Sequence, residues 1–166
     1  RPRSLLEFGR KNALAFFSCS KRSGMTGYRT GFVAGDADLV AAYTRLRPNI
    51  GVATPVFVEA AAAAAWSDDA HASERNELFS AKRRVLSEFL AEAGLEVVGG
   101  DATFFLWFKV PGGDEVAYCE RLLEQGGLVL IPGSYFGAGG EGFARVALVP
   151  SLEDCKRAVE VWRGLL

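Results

Sequence analysis

Lys21 stands between Ser20 and Arg22, with Ser18 three residues before it and Arg29 eight residues after it. A lysine amine can condense with a carbonyl group to give a Schiff base, which few side chains can do. Serine hydroxyls and a planar guanidinium nearby suit a phosphate, because the guanidinium fork donates two parallel hydrogen bonds to one anion. Gly24, Gly27 and Gly31 punctuate the same stretch. Taken singly, each residue has a plainer reading: Lys21 as a solvated surface lysine, Ser18 and Ser20 as strand-end hydroxyls that satisfy local backbone. These residue types at these spacings point instead to a lysine that binds a phosphorylated carbonyl cofactor.

Arg145 is the second candidate. It lies within Phe143-Ala144-Arg145-Val146-Ala147-Leu148, an otherwise apolar strand pattern. A charge there is costly unless an anion meets it. The plainer reading of that anion is a glutamate of the same region, in a buried salt bridge. Just upstream, Gly137-Ala138-Gly139-Gly140-Glu141-Gly142 satisfies G-x-G-x-x-G. A strand follows it rather than a helix N-terminus, so a nucleotide-binding oxidoreductase fails on topology, and a mobile loop is expected. His71 is the only histidine and reads as a solvated residue near a polar helix start, so a histidine triad or metal site is hard to build.

The elements that must position these residues follow from periodicity and caps. Residues 13–18 form a short continuous apolar run, read as a strand of a parallel sheet covered on both faces, which would deliver Ser18, Ser20 and Lys21 to the sheet's carboxyl edge. Tyr28 to Ala34 is the next strand. Asp36 caps a helix to about Arg47, where Pro48 ends it. Thr54-Pro55 starts an alanine-rich helix to Trp66, expected to be buried. Leu78, Phe79, Val85, Leu86, Phe89, Leu90 and Ala93 then recur at helical spacing until Gly94. Strands are expected at 95–98, 103–110, 128–131 and 143–149, and a helix at 114–125. A final helix begins at a Ser151/Asp154 capping box, with Cys155, Val159, Trp162 and Leu166 as its apolar stripe.

The whole is an α/β chain with 49% apolar and 23% charged residues and a net charge of −1, which offers no electrostatic footprint for nucleic acid. Apolar runs such as Ala60 to Trp66 are too short to span a bilayer, so no membrane partner is expected. Cys19, Cys119 and Cys155 are odd in number and far apart, which argues against a disulfide framework and for a reducing, cytoplasmic location. Three segments are expected: 1–50 as the end of a larger sheet domain, 51–94 as connecting helices, and 95–166 as a small α/β domain. The first contributes too few strands to close a core, so the other strands of its sheet are expected upstream.

Ser18-Cys19-Ser20-Lys21, followed by Gly27-Tyr28-Arg29-Thr30-Gly31, resembles the cofactor-lysine motif of the fold type I pyridoxal-phosphate aminotransferases. The segments 20–36, 46–55, 65–68 and 140–150 are similar to the succinyldiaminopimelate aminotransferase branch in particular. The resemblance implies pyridoxal 5'-phosphate held by Lys21 and by the phosphate ligands Ser18 and Arg29, with Ser20 a hydrogen-bonding neighbour. It also implies that Arg145 grips the substrate α-carboxylate. The reaction implied transfers the glutamate amino group to N-succinyl-2-amino-6-oxopimelate, in lysine and diaminopimelate synthesis. Its partners are small amino and keto acids, and a homodimer is implied. In this family an aspartate on the pyridinium nitrogen, a ring stacked on the cofactor and a tyrosine all lie upstream of the lysine, and an intact member is roughly twice this length. The chain is therefore expected to be the carboxyl-terminal half of such an enzyme and inactive by itself. Two alternatives stand beside this: a non-catalytic effector or interaction module that kept the fold, and an aminotransferase of different specificity.

Overall fold

A computed structural model describes residues 3–51, 53–99 and 102–166. Arg1 and Pro2 at the start, and Val52 within the 46–55 motif, lie outside the described residues. The chain divides into two compact units, Arg1–Arg75 and Asn76–Leu166.

In the first unit, β1 (Leu14–Ser18) pairs antiparallel with β2 (Gly31–Gly35), Leu14 opposite Gly35 and Ser18 opposite Gly31. The expected parallel strand with both faces covered is therefore not what forms among the described residues, and Phe16 is 67% exposed. A continuous apolar run specifies burial but not its partner. Here the next apolar run folds straight back onto the first, because the intervening segment reverses at Gly24 (φ 70°) and Arg29 (φ 50°). The link contains α1 (Cys19–Arg22), a single helical turn, and a 3-10 turn at Thr26–Tyr28. Stacked Phe17 and Phe32 rings, 4.8 Å apart, take the edge of Trp66 on their flank.

Asp36 caps α2 (Ala37–Leu46), accepting the Asp38 and Leu39 N–H groups at 2.9 and 3.3 Å. A 3-10 turn at Arg47–Asn49, with Pro48 in it, closes that helix. α3 (Val56–Ser67) starts without the expected Thr54 cap: Pro55 holds the cap position and no side chain caps it. Nor is this alanine-rich helix buried in its unit. Only Val58 and Ala62 are covered, while Val56 and Phe57 are 81% and 73% exposed. Small side chains permit close packing but do not compel it.

The second unit is built on β3 (Phe105–Lys109), β4 (Ile131–Pro132) and β5 (Phe143–Ala147), antiparallel in the order β3-β5-β4. The expected strand at 95–98 reduces to one bridge, Val97 to Phe108. Alternation along the strands turns Leu106, Phe108, Ala144 and Val146 inward. There they meet Leu86, Phe89 and Leu90 of α4 (Ala70–Glu92), Tyr118 and Leu122 of α5 (Glu115–Gly126), and Cys155 and Trp162 of α6 (Leu152–Arg163). Trp162 buries its indole fully and donates Nε1–H to the Tyr118 hydroxyl at 2.9 Å. Asp114 caps α5, Gly127 closes it at φ 65°, and Ser151 accepts the Asp154 N–H at 3.0 Å to start α6. The stripe of α6 departs at its end. Gly164 ends the helix, so Leu165 packs on the core and Leu166 stays 57% exposed. All three cysteines are buried and free, and burial pushes the Cys119 thiol up to about 11. No helix among the described residues is long and apolar enough to cross a membrane.

Candidate active site

Ser18 ends β1 and its Oγ accepts the Ser20 N–H at 3.2 Å, which turns the chain into α1. Cys19, with no exposed surface, anchors this turn from below. Its N–H donates to the Thr30 carbonyl at 3.2 Å, and its own carbonyl accepts from the N–H groups of Ser23 and Met25 at 3.0 and 3.3 Å. Thr26 Oγ1 donates to the Ser20 carbonyl at 3.2 Å. The loop is thereby drawn back over the turn, and Arg29 comes to lie beside the serines. Its backbone is left-handed, a conformation that costs a non-glycine residue roughly 1–2 kcal/mol. Arg29 Nη1 donates to the Thr26 carbonyl at 3.1 Å and lies 3.5 Å from Ser20 Oγ.

Ser18, Ser20, Arg29 and Thr30 together line a cleft of about 810 Å³, with Tyr43 and Thr44 on another wall. The two residues expected to bind the phosphate, Ser18 and Arg29, are thus brought together with their expected neighbour Ser20. Lys21 is not: it is exposed on α1 and does not line this cleft, although Ser20 beside it does. The backbone that carries Lys21 is fixed by the turn.

What fixes the turn is a polar clamp. Arg22 Nη1 donates to the Ala65 carbonyl at 2.7 Å, and Nη2 reaches the Asp68 carbonyl at 3.3 Å and the Asp69 carboxylate. Its guanidinium also lies 4.6 Å from the Trp66 ring centre. Beside it, His71 spans from Asp68 Oδ2 to Ser23 Oγ, 3.0 Å at each ring nitrogen. The expectation of a solvated histidine with no triad-like partners is therefore corrected. His71 is 28% exposed and stands in a Ser-His-Asp row two residues from Lys21. Asp68 and His71 three apart at a helix start were a local signal for half of this row, but Ser23 is 48 residues away and left none.

The row has a measurable consequence. The His71 bond, and after it the Ala70 N–H, hold the Asp68 carboxyl below its usual range. A lowered carboxyl stabilises the fold above the unfolded value of about 3.9 and loses that contribution as pH falls through the folded value. In a His71→Ala variant the Asp68 carboxyl is expected to titrate at higher pH, as followed by carbon-detected NMR. An unchanged titration would show that the row does not form in solution.

Arg145 is the middle residue of β5, opposite Trp107 on one side and Ile131 on the other. Its guanidinium lies 4.5 Å from the Phe136 ring centre and 5.3 Å from that of Phe105. Such contacts suit a weakly hydrated planar cation. Nε is buried with no hydrogen-bond partner, and among the described residues no carboxylate pairs with Arg145. The buried salt bridge weighed from the sequence is absent there. The preceding glycine-rich segment, expected as a mobile loop, is folded into 3-10 turns at Gly133–Phe136 and Ala138–Gly140. Gly133 and Gly140 meet backbone to backbone, so closely that neither has room for a Cβ. The aromatic residues around Arg145 could be read from the sequence as strand and loop residues, but not as its neighbours.

Comparison with known proteins places the chain in a family. The chain is 38% identical over 146 residues to a probable aminotransferase of Mycobacterium tuberculosis, covering 88% of this chain and 34% of that protein. It is 36% identical over 165 residues to the LL-diaminopimelate aminotransferase of Natranaerobius thermophilus, covering 96% and 42%. Among solved structures, an aminotransferase from Neisseria meningitidis superposes with a TM-score of 0.86 at 35% identity, over 94% of this chain and 41% of that one. A probable N-succinyldiaminopimelate aminotransferase from Thermus thermophilus gives 0.81 at 30% identity, over 92% and 42%. The chain thus spans less than half the length of these relatives. The family described as aminotransferase class I and II matches residues 4–161, a span that takes in Lys21, Arg29 and Arg145 alike. The chain belongs to the class I and II aminotransferases, a family of pyridoxal-phosphate enzymes.

Proposed function

We propose that this chain forms the carboxyl-terminal part of an aminotransferase that moves the glutamate amino group to N-succinyl-2-amino-6-oxopimelate. Residues 1–50 are then the end of its cofactor domain and 95–166 its small domain. The observation that carries the reading is the Ser18, Ser20 and Arg29 cleft wall beside the Lys21 turn. Two hydroxyls and a guanidinium form the donor set a phosphate dianion requires, and the Thr30 hydroxyl adds a neutral donor. The residues present fit pyridoxal phosphate.

When bound, that cofactor supplies a carbonyl for amines and a ring that accepts the electron pair left at the substrate α-carbon. The chain's own residues do the rest. Ser18, Ser20 and Arg29 hold the phosphate. Lys21 carries the amine that anchors the cofactor and moves the proton at the α-carbon. Arg145 takes the α-carboxylate on its fork, which orients the substrate about one axis. Activity belongs to a polypeptide longer than this chain, in keeping with the share of each relative that it covers.

The succinylated acceptor is supported by the 46–55 and 140–150 motifs and by the name of the Thermus neighbour. A second reading, LL-diaminopimelate itself as the amino compound, is favoured by the name of the Natranaerobius relative. The test supplies the natural full-length protein with pyridoxal phosphate and glutamate, and measures 2-oxoglutarate release with each acceptor. Fast turnover only with the succinylated keto acid is the expected result. Turnover restricted to the unacylated acceptor selects the second reading, and no amino transfer from any donor by cofactor-loaded protein overturns both.

A further inference from the structure

Glu115, in the first turn of α5, is a buried carboxylate that the chemistry above does not use; it is 7% exposed. Its Oε2 accepts the Gly142 N–H at 2.9 Å, and Ser134 lies beside the same carboxylate. The Ser134 hydroxyl, then the Gly142 N–H and after them its own backbone N–H hold its carboxyl below the usual range. Among the described residues no cation pairs with it. The charge is therefore held by neutral donors alone, an arrangement that is costly to leave half satisfied.

Those donors stand at the two ends of the folded glycine segment. Ser134 lies in its first turn, and Gly142 immediately precedes β5, three residues before Arg145. On its other side the Gly142 carbonyl accepts the Val110 N–H at 2.9 Å. Phe136, the ring nearest the Arg145 guanidinium, lies between the two donors and also meets Trp107 at 5.6 Å.

We propose that Glu115 is a positioning residue for Arg145: it staples Ser134 to Gly142, so that Phe136 stays on the guanidinium and the fork stays presented to a ligand carboxylate. The inference rests on the reading of Arg145 as the carboxylate-binding residue. Without the staple, Gly142 and the Ser134 turn keep only their backbone contacts, Phe136 is held less firmly on the cation, and the guanidinium samples other rotamers. Binding of carboxylate then weakens while the proton transfers, which use other groups, continue at saturating substrate.

The test uses the full-length, cofactor-loaded protein, with KM and kcat for glutamate and the Kd of glutarate, an unreactive dicarboxylate. Glu115→Ala is expected to raise KM and the glutarate Kd about tenfold, with kcat within about twofold of the parent. Glu115→Gln keeps an acceptor oxygen in the same place and is expected to recover most of the loss. Ser134→Ala, which leaves the carboxylate and one donor intact, gives a smaller rise of about threefold and serves if Glu115→Ala does not fold. A merely structural role would change stability without splitting KM from kcat. Unchanged glutarate binding in Glu115→Ala and Ser134→Ala, while Arg145→Ala abolishes it, overturns the staple alone. Unchanged binding in Arg145→Ala overturns the reading beneath it as well.

Discussion

In the cofactor-loaded, full-length protein, Lys21→Ala is expected to lower the rate of amino transfer about 10⁴-fold, the scale of losing a nucleophile and a proton-transfer group together. Two functions leave with one amine, so the loss should exceed what any neighbouring hydroxyl or guanidinium contributes. Lys21→Arg is not expected to restore activity, because a guanidinium stays protonated and cannot attack a carbonyl. Borohydride reduction followed by peptide mapping checks the assignment without relying on turnover. In the parent protein the reduced label belongs on the peptide that carries Lys21, and a label on another lysine would remove the catalytic assignment. Lys21 does not line the cleft shared by Ser18, Ser20 and Arg29, so the label also reports whether its side chain reaches that cleft. The clamp made by Arg22 and His71 ties the turn that carries Lys21 to Ala65, Asp68 and Asp69.

What could be read from the sequence was what is decided locally. Asp36 and Ser151 each cap the helix expected of them, and Gly94 and Gly127 stand just past the helix ends at positive φ, since caps and left-handed stops depend on neighbours a few residues away. The Ser18-to-Arg29 motif was legible for the same reason, being twelve consecutive residues. Pairing was not. An apolar run such as residues 14–18 is compatible with parallel or antiparallel partners, and the choice lay in the reversal at Gly24 and Arg29. The exposure of α3 was hidden too, because its composition states only what it could pack against. Ser23 with His71, and Glu115 with Ser134 and Gly142, are contacts between distant segments and leave no periodic trace. The environment of Arg145 was half legible. Its cost in an apolar strand was plain, and its answer, two aromatic rings and no carboxylate, required the fold.

That answer makes Arg145→Ala the sharper of the two large effects, because the size of its effect on stability differs between the competing roles. A buried arginine with an internal counterion leaves an orphaned carboxylate when removed and destabilises by about 3–5 kcal/mol. Arg145 has no such counterion among the described residues, and its Nε is already without a partner. Removing it therefore orphans no carboxylate and costs chiefly its contacts with Phe105 and Phe136. Denaturant unfolding of Arg145→Ala is accordingly expected to show stability within about 1 kcal/mol of the parent. Affinity should move the other way. Losing a bidentate, charge-assisted grip is expected to raise KM for glutamate about 100-fold or more, and Arg145→Lys, a point charge without the fork, recovers only part of it. A variant that unfolds more easily yet binds glutamate normally would make Arg145 a structural ion. A variant as stable as the parent that no longer holds the amino acid shows that the guanidinium's counterion arrives with the substrate.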